Sequence, residues 1–549
     1  MFNLDRNSWY VIWLTLSGIS GSAVDNLDSN RNPPSRKQYV GDAPNTHLLD
    51  ATALAAARDA IHTSKSHPIL KVFFASLWII PSAPMFVSCN SIHAVHLSIS
   101  LHQESYKQLQ RNLADVISRN NTRTVMSKNL TLPGISKHNY ISIGIYNHPC
   151  NARPKGCKPY PGAKPLPPYK CNNQTGLPWG ACNLSLIMSL SLHIFYYPWG
   201  YRTHSRTRHQ ICRAVPCDGI RNPSAIKAGD APAQEIMVND VVHLALGAYY
   251  ANNSATCTIL VQKAVCIIKA WFLANATAML PNLFYGQICP KNTSQQKGHG
   301  GFIEWAHTAY LLDHLQLLRF SAARDGVQAW DVQFDTALQR WWRTFELYVH
   351  SPEAQGERLM TNNHGSWYDA TWLSIALFNG NASAAGAAVA EVTTTRIPTQ
   401  ILPDGREWIE LQRNVPSGYC QYNLKALTQV ADLASSLHAA NSGQGSGAAR
   451  VGNALSIWHF ETADGRSLRR AIDWLMPYAT NESAWPYPQP ERPSWTLMWS
   501  VLRRASIAFA NASYESAACQ VMRLANDKAY FKDVSNLQLP PKYFVDCEF

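Results

Sequence analysis

The chain places an imidazole among polar amides just where an apolar helix is due to begin. The stretch MTNNHGSWYDATW runs from Met360 to Trp372, and Trp367 or Tyr368, Thr371 or Trp372, and Ile375 continue it at helical spacing. Asn362 or Asn363 is suited to cap that helix. The open backbone N–H groups and the dipole at such an end attract an anion. Neighbouring helical residues point about 100° apart, so Asn363 and His364 can flank one ligand group. Taken alone, the same residues read equally as a capping asparagine and a structural histidine. A second stretch, LPDGREWIELQRNVPSGYCQYNLKAL from Leu402 to Leu427, opens on a Pro-Asp-Gly turn signal and puts Arg413 six residues before Tyr419. By itself Arg413 also fits a surface ion pair with Glu410, and Tyr419 a core aromatic.

The elements that must position these side chains are helical. From about Ala233 onward, EIMVNDVVHLALGAYYAN, CTILVQKAVCIIKAWFLA, FIEWAHTAYLLDHLQLLRF and WDVQFDTALQRWWRTFELYVHS carry apolar residues three and four apart. In the third of these, Ile303, Ala306, Tyr310, Leu311, His314 and Leu318 are expected to share a face. YNLKALTQVADLASSLHAA and SLRRAIDWLMPYA follow later. No alternating run long enough for a large sheet occurs in this half. The expected fold is all-α, an array of helical hairpins packed side by side. Residues 146–183, rich in Pro, Gly, Cys and Asn, read as a long irregular segment pinned by disulfides. Residues 67–104 and 184–213 break the surrounding pattern and read as insertions, as retained intron sequence would.

Bulk composition narrows the class. The chain has 549 residues, 46% hydrophobic and only 15% charged, enough for a large core and unlike a disordered polyampholyte. Its net charge of +12 calls for an acidic partner. The basic residues are dispersed without a Lys/Arg run, which argues against a nucleic-acid tail. Arg6 precedes the apolar stretch WYVIWLTLSGISGSA, which ends in small residues, so residues 1–23 are expected to be a secretory signal cleaved near Ala23. The apolar run from Ile69 to Val87 is interrupted by Lys71 and two prolines, a poor membrane span. Asn-x-Ser/Thr sequons at Asn120, Asn129, Asn173, Asn183, Asn252, Asn275, Asn292, Asn381, Asn481 and Asn511 fit an extracellular chain. So do 13 cysteines, among which Cys150 with Cys157, or Cys171 with Cys182, are candidate local pairs. No CxxC pair supports zinc.

Taken together, NNHGSWYD and, some forty residues on, PDGREWIELQR…GYCQYNL resemble the alginate lyase superfamily, which includes polysaccharide lyase family 5 and the related family 38. KHNYISIGIYNHP (Lys137–Pro149), CDGIRNP (Cys217–Pro223), AWFLANATAMLPNLFYGQ (Ala270–Gln287), GFIEWAHTAYLLD (Gly301–Asp313) and DGRSLRRAIDWLMPY (Asp464–Tyr478) match in the same order. The resemblance covers roughly residues 110–150 and 215–480. It implies an incomplete α/α toroid over residues 110–480, following an N-terminal region 24–109 and followed by a C-terminal extension 481–549 packed on it. It also implies β-elimination at a uronic acid, with no metal and no cofactor. Asn363 and Arg413 match the positions that neutralise the sugar's C6 carboxylate, a task suited to an amide donor and a guanidinium fork. His364 matches the base that takes the C5 proton, and its ordinary pKa near 6.5 suits that task. Tyr419 matches the acid that protonates the departing O4; the nearby Arg413 would ease its ionisation. Gln287, Tyr285 and Asn362 are expected to hold the sugar, and Trp367 to stack on it or to pack in the core. YNHP at Tyr146–Pro149 departs from the aromatics that many relatives show there. The Arg413–Tyr419 spacing is closer to family 38 than to the alginate-specific enzymes. The expected protein is a secreted, monomeric lyase for an acidic polysaccharide, with no nucleic-acid partner and no stable membrane insertion. The rival reading is a catalytically inactive carbohydrate-binding protein of the extracellular or cell-wall space.

Overall fold

The computed structural model describes residues 51–62, 89–120, 122–149, 154, 155, 157, 214–288, 300–442, 456–481 and 484–525. The expected signal segment and the insertion at 184–213 lie outside these residues.

Capping side chains set where the helices begin. In α1 (Ala51–His62), α2 (Cys89–Ser118), α3 (Ala231–Tyr250) and α4 (Ser254–Ile268) the apolar positions recur at helical spacing. Asn253 caps α4 by accepting from Thr256 N, and Asp331 caps α6 (Val332–Val349) by accepting from Phe334 N. Asn362 caps α7 (Asn363–Phe378), Asn381 caps α8 (Ala382–Glu391) and Ser467 caps α10 (Leu468–Thr480) in the same manner. Between them lie α5 (Thr308–Asp325), closed by Gly326 at φ 67°, and the long α9 (Pro416–Ser442). The chain then runs through α11 (Met498–Ala508) and α12 (Ala512–Leu524).

Neighbouring helices pair as antiparallel hairpins that close into a helical toroid. Helix α3 packs on α4 and α5, α7 packs on α5, α8 and α9, and α9 carries the hairpin of α11 and α12. Trp341, Trp342 and Phe345 of α6 interlock edge-on and stacked with Phe272 and Tyr348. Each such ring removes about 150–250 Å² from water, roughly 4–6 kcal/mol before entropy at about 25 cal/mol per Å². Side-chain burial between helices therefore outweighs the short strands as the source of cohesion. Among the described residues, one helical segment, Ser254–Leu273, is apolar and long enough to cross a membrane; Leu260, Val261, Ala264, Ile268 and Trp271 within it are core residues.

The strands form two two-stranded pieces. β1 (Ile141–Ile143) runs parallel to β4 (Tyr285–Ile288), and β2 (Asn147–Pro149) runs antiparallel to β3 (Ala214–Pro216). β3 leads directly into Cys217 and Asp218, so this small pairing fixes where Asp218 enters the molecule.

Two expectations need correction. Cys157 pairs with Cys217, not with Cys150; the two residues are 60 apart in sequence and are joined by the return of β3. Cys171 and Cys182 fall outside the described residues. The stretch expected as one helix around Ile303 to Leu318 is two, Gly301–Glu304 and α5. At the end of the first, the Glu304 carboxylate accepts from the hydroxyls of Tyr140 and Ser142 at 2.8 and 2.5 Å.

Candidate active site

The first turn of α7 presents the NNHG motif. Asn362 Oδ1 accepts from His364 N at 3.2 Å, so this residue works as the cap. Asn363, fully buried, donates both its backbone N–H (2.6 Å) and its side-chain amide (2.8 Å) to Glu410 Oε1. This pairing sets the amide's orientation, since the reverse would bring two acceptors together. Asn363 Oδ1 and Glu410 Oε2 are both buried without a hydrogen-bond partner. His364 Nδ1 lies 2.8 Å from Glu357 Oε2 on the short helix Gln355–Arg358. A carboxylate there accepts, so Nδ1 carries the hydrogen and Nε2 keeps its lone pair. The His364 side chain is 22% exposed, whereas that of Glu357 is 1% exposed. The imidazole is thus reachable and its carboxylate partner is not.

Gly365 explains the fourth letter of the motif. A Cβ at this position would come within 2.1 Å of Met360 O and 2.8 Å of the Arg396 guanidinium carbon. Arg396, itself buried, donates to Met360 O and to Asp369, tying the approach to α7 onto its second turn. The close approach, rather than an unusual φ, excludes a side chain.

The second motif delivers Arg413 and Tyr419 to the same place. Glu407, Glu410 and Arg413 are all buried and fall three residues apart, one face of a coil that includes the 3₁₀ turn Glu410–Gln412. The Arg413 guanidinium lies over the Tyr419 ring, 3.6 Å from its centroid. Its Nε and Nη2 donate to Asp218 at 3.1 and 2.6 Å, and its Nη1 is 3.7 Å from Glu410 Oε2. Tyr419 OH donates to Asp218 Oδ1 at 3.0 Å, and Asn414 N donates to Asp218 Oδ2 at 2.8 Å. Burial opposes the charge on Arg413, but Tyr419, Asp218 and Glu410 outweigh it and hold the guanidinium protonated. Burial pushes the Glu410 carboxyl up from its ordinary value, against the pull of Arg413 and Asn363.

Glu410 joins the two motifs, with Asn363 on one side and Arg413 on the other. Asn363, His364, Arg413 and Tyr419 thus belong to one cluster. Trp367 does not line it as a sugar platform: it is 1% exposed and packs in the core at 4.9 Å from Tyr422, because it falls on the inward face of α7. Tyr285 packs with Ile141 and Ile288 between β1 and β4. Gln287 takes φ 50°, donates its N–H to Ser142 Oγ at 2.7 Å, and belongs with Glu304 and Tyr140. Sequence reasoning missed Asp218, Glu357 and the bridging role of Glu410. Asp218 sat within CDGIRNP and Glu410 within the ELQR turn; Glu357 had no signal beyond lying seven residues before His364.

A mainly helical toroid thus gathers an imidazole–carboxylate pair, a buried guanidinium and a phenol. The chain belongs to the alginate lyase family, whose profile, described as Alginate lyase, matches residues 125–485. It is a polysaccharide lyase. Among solved structures, it is similar to an alginate lyase from Bacteroides ovatus, with a TM-score of 0.62 and 23% identity over 90% of this chain and 99% of that one. Two structures of alginate lyase A1-III, one of them complexed with a tetrasaccharide, align at TM-scores of 0.36 and 0.34 with 14% and 15% identity, each covering 53% of this chain and 72% of the other. No curated protein matches the sequence.

Proposed function

We propose that this chain is a secreted, monomeric lyase that cuts a uronic-acid polymer, such as alginate or glucuronan, by β-elimination. The observation that carries the reading is Glu410, which binds Asn363 through two N–H groups and faces Arg413, so that two distant motifs share one buried centre. The sugar's C6 carboxylate would sit between the Asn363 amide and the Glu410-facing edge of Arg413. Protonation of Glu410 relieves the crowding of anions there, and neutralising the C6 carboxylate lowers the cost of enolate-like charge. His364 Nε2 then takes the C5 proton, with Glu357 stabilising the imidazolium. The C5–H electron pair becomes the C4=C5 bond, the C4–O4 bond breaks, and O4 takes the Tyr419 hydroxyl proton now directed at Asp218. The phenolate left behind lies beneath the Arg413 guanidinium, which offsets its charge. Proton return from His364 through solvent resets the site. Secretion is supported by the N-terminal apolar segment, the sequons and the Cys157–Cys217 disulfide.

The test is to incubate the secreted protein with alginate, glucuronan and hyaluronan and follow the ultraviolet absorbance of the new C4=C5 bond. Absorbance should rise on at least one polymer; no signal on any uronate polymer would sink the reading.

A further inference from the structure

A cavity of about 200 Å³ is lined by Leu402, Arg406, Trp408, Leu411, Gln412 and Tyr487. Its chemistry differs from that of the core. Trp408 is 42% exposed, and its Nε1 donates to Thr399 O at 2.9 Å, which pins the indole edge and leaves ring surface open. Arg406 Nε pairs with Asp404 at 2.7 Å, with side chains 45% and 51% exposed, and Tyr487 takes a further hydrogen bond from it. An exposed pair of this kind is held weakly, and five N–H donors leave capacity for another carboxylate. The turn presenting Arg406 is rigid. Leu402 N donates to Arg406 O, and Gly405 has φ 91°, where a Cβ would come within 2.4 Å of Arg470 O.

The same short coil serves both places. Glu407, Glu410 and Arg413 face inward to the catalytic cluster, while Trp408 and Leu411, one residue on in each turn, line the cavity with Gln412. The opposite wall is coupled to the catalytic helix as well: Gln489, two residues after Tyr487, accepts from Ser417 N at 3.2 Å, two residues before Tyr419. One coil thus backs the cluster on one face and the cavity on the other.

We propose that this cavity is a distal saccharide subsite, in which Trp408 stacks on a sugar ring, Arg406 meets its carboxylate, and Gln412 and Tyr487 bond its hydroxyls. The inference rests on the uronate-lyase reading and names a further contact with the same polymer. It predicts that the subsite contributes binding of long chains rather than chemistry.

The experiment compares wild type with Trp408→Ala and, separately, Arg406→Gln, both exposed positions, on polymer and on the shortest oligosaccharide still cleaved. KM for the polymer should rise about ten-fold in Trp408→Ala with kcat retained, and the effect should shrink on the short substrate. Unchanged polymer KM in both variants overturns the subsite while leaving the lyase reading intact. If the wild type cleaves no uronate polymer, the lyase reading fails by itself. Calorimetric titration with a uronate oligosaccharide then decides the cavity: affinity lost in Trp408→Ala upholds it, and equal or no binding in both overturns it.

Discussion

The carboxylates around His364 and Arg413 and the carboxyl of Glu304 are alike in burial and unlike in partners. Asp218 is held by a guanidinium, a phenol and a backbone N–H; Glu357 by an imidazole; Glu410 by two N–H groups with a guanidinium behind them. Glu304 has the hydroxyls of Tyr140 and Ser142, with Gln287 beside it and the like charge of Asp230 nearby. Burial accordingly pushes its carboxyl up to about 7. Burial raises Glu410 as well as Glu304, and in each the donors offset it only in part. The first region gathers its carboxylates onto donors from two distant motifs, and the second ties β1 and β4 to the start of the toroid.

That contrast can be broken most sharply at the reacting groups. His364→Ala and Tyr419→Phe should each lower turnover by about 10²–10⁴-fold with unchanged far-ultraviolet circular dichroism. Wild-type turnover in either variant would remove that residue from its assigned role. Next comes the anchor. Asp218→Asn weakens the bonds that hold Arg413 and Tyr419, and losing charged hydrogen bonds of about 1.5–3 kcal/mol should reduce kcat by roughly 10- to 100-fold. Unaltered kcat would mean that Arg413 is positioned by Glu410 alone.

A smaller effect belongs to the backbone around the motif. Gly365→Ala forces a methyl against Met360 O and Arg396, and overpacking of this kind costs roughly 1–3 kcal/mol. Denaturant unfolding should show the loss, and an unchanged midpoint would contradict the close approach. The smallest effect tests the second region. Folding raises the Glu304 carboxyl from 4.5 to about 7, so the folded chain binds the extra proton between those values. Its stabilisation is fully present below about 4.5 and is lost as pH rises through about 7. His307 and His314, pushed down to about 4 by burial, act with the opposite sign, their stability being lost as pH falls from 6.5 towards 4. Glu304→Gln should therefore flatten the decline of Tm between about pH 4.5 and 7 while leaving the acid-side loss from the histidines. A wild-type Tm profile in the variant would remove Glu304 as its source.

Much of the site was legible because its two motifs are local. Asn362 as a cap, His364 after it, and the turn leading to Arg413 and Tyr419 follow from helix-end and turn chemistry over a few residues. Trp367 was ambiguous for the same reason: helical spacing marks a face but does not say whether core or cleft lies opposite, and the packing against Tyr422 settled it. Asp218 was not assignable, since its bonds to Arg413 span 195 residues and no periodicity links residues so far apart. The pairing of Cys157 with Cys217 was hidden likewise, because it depends on β3 returning beside β2.

The sequence by itself determined the helical character of the chain, most helix starts, and the residue types available for elimination, because capping and periodicity act between near neighbours. Only the tertiary structure decided which carboxylates face which donors. Closing the toroid buries Asp218, Glu357 and Glu410 together, and a buried carboxylate must find its partner wherever the fold has placed one.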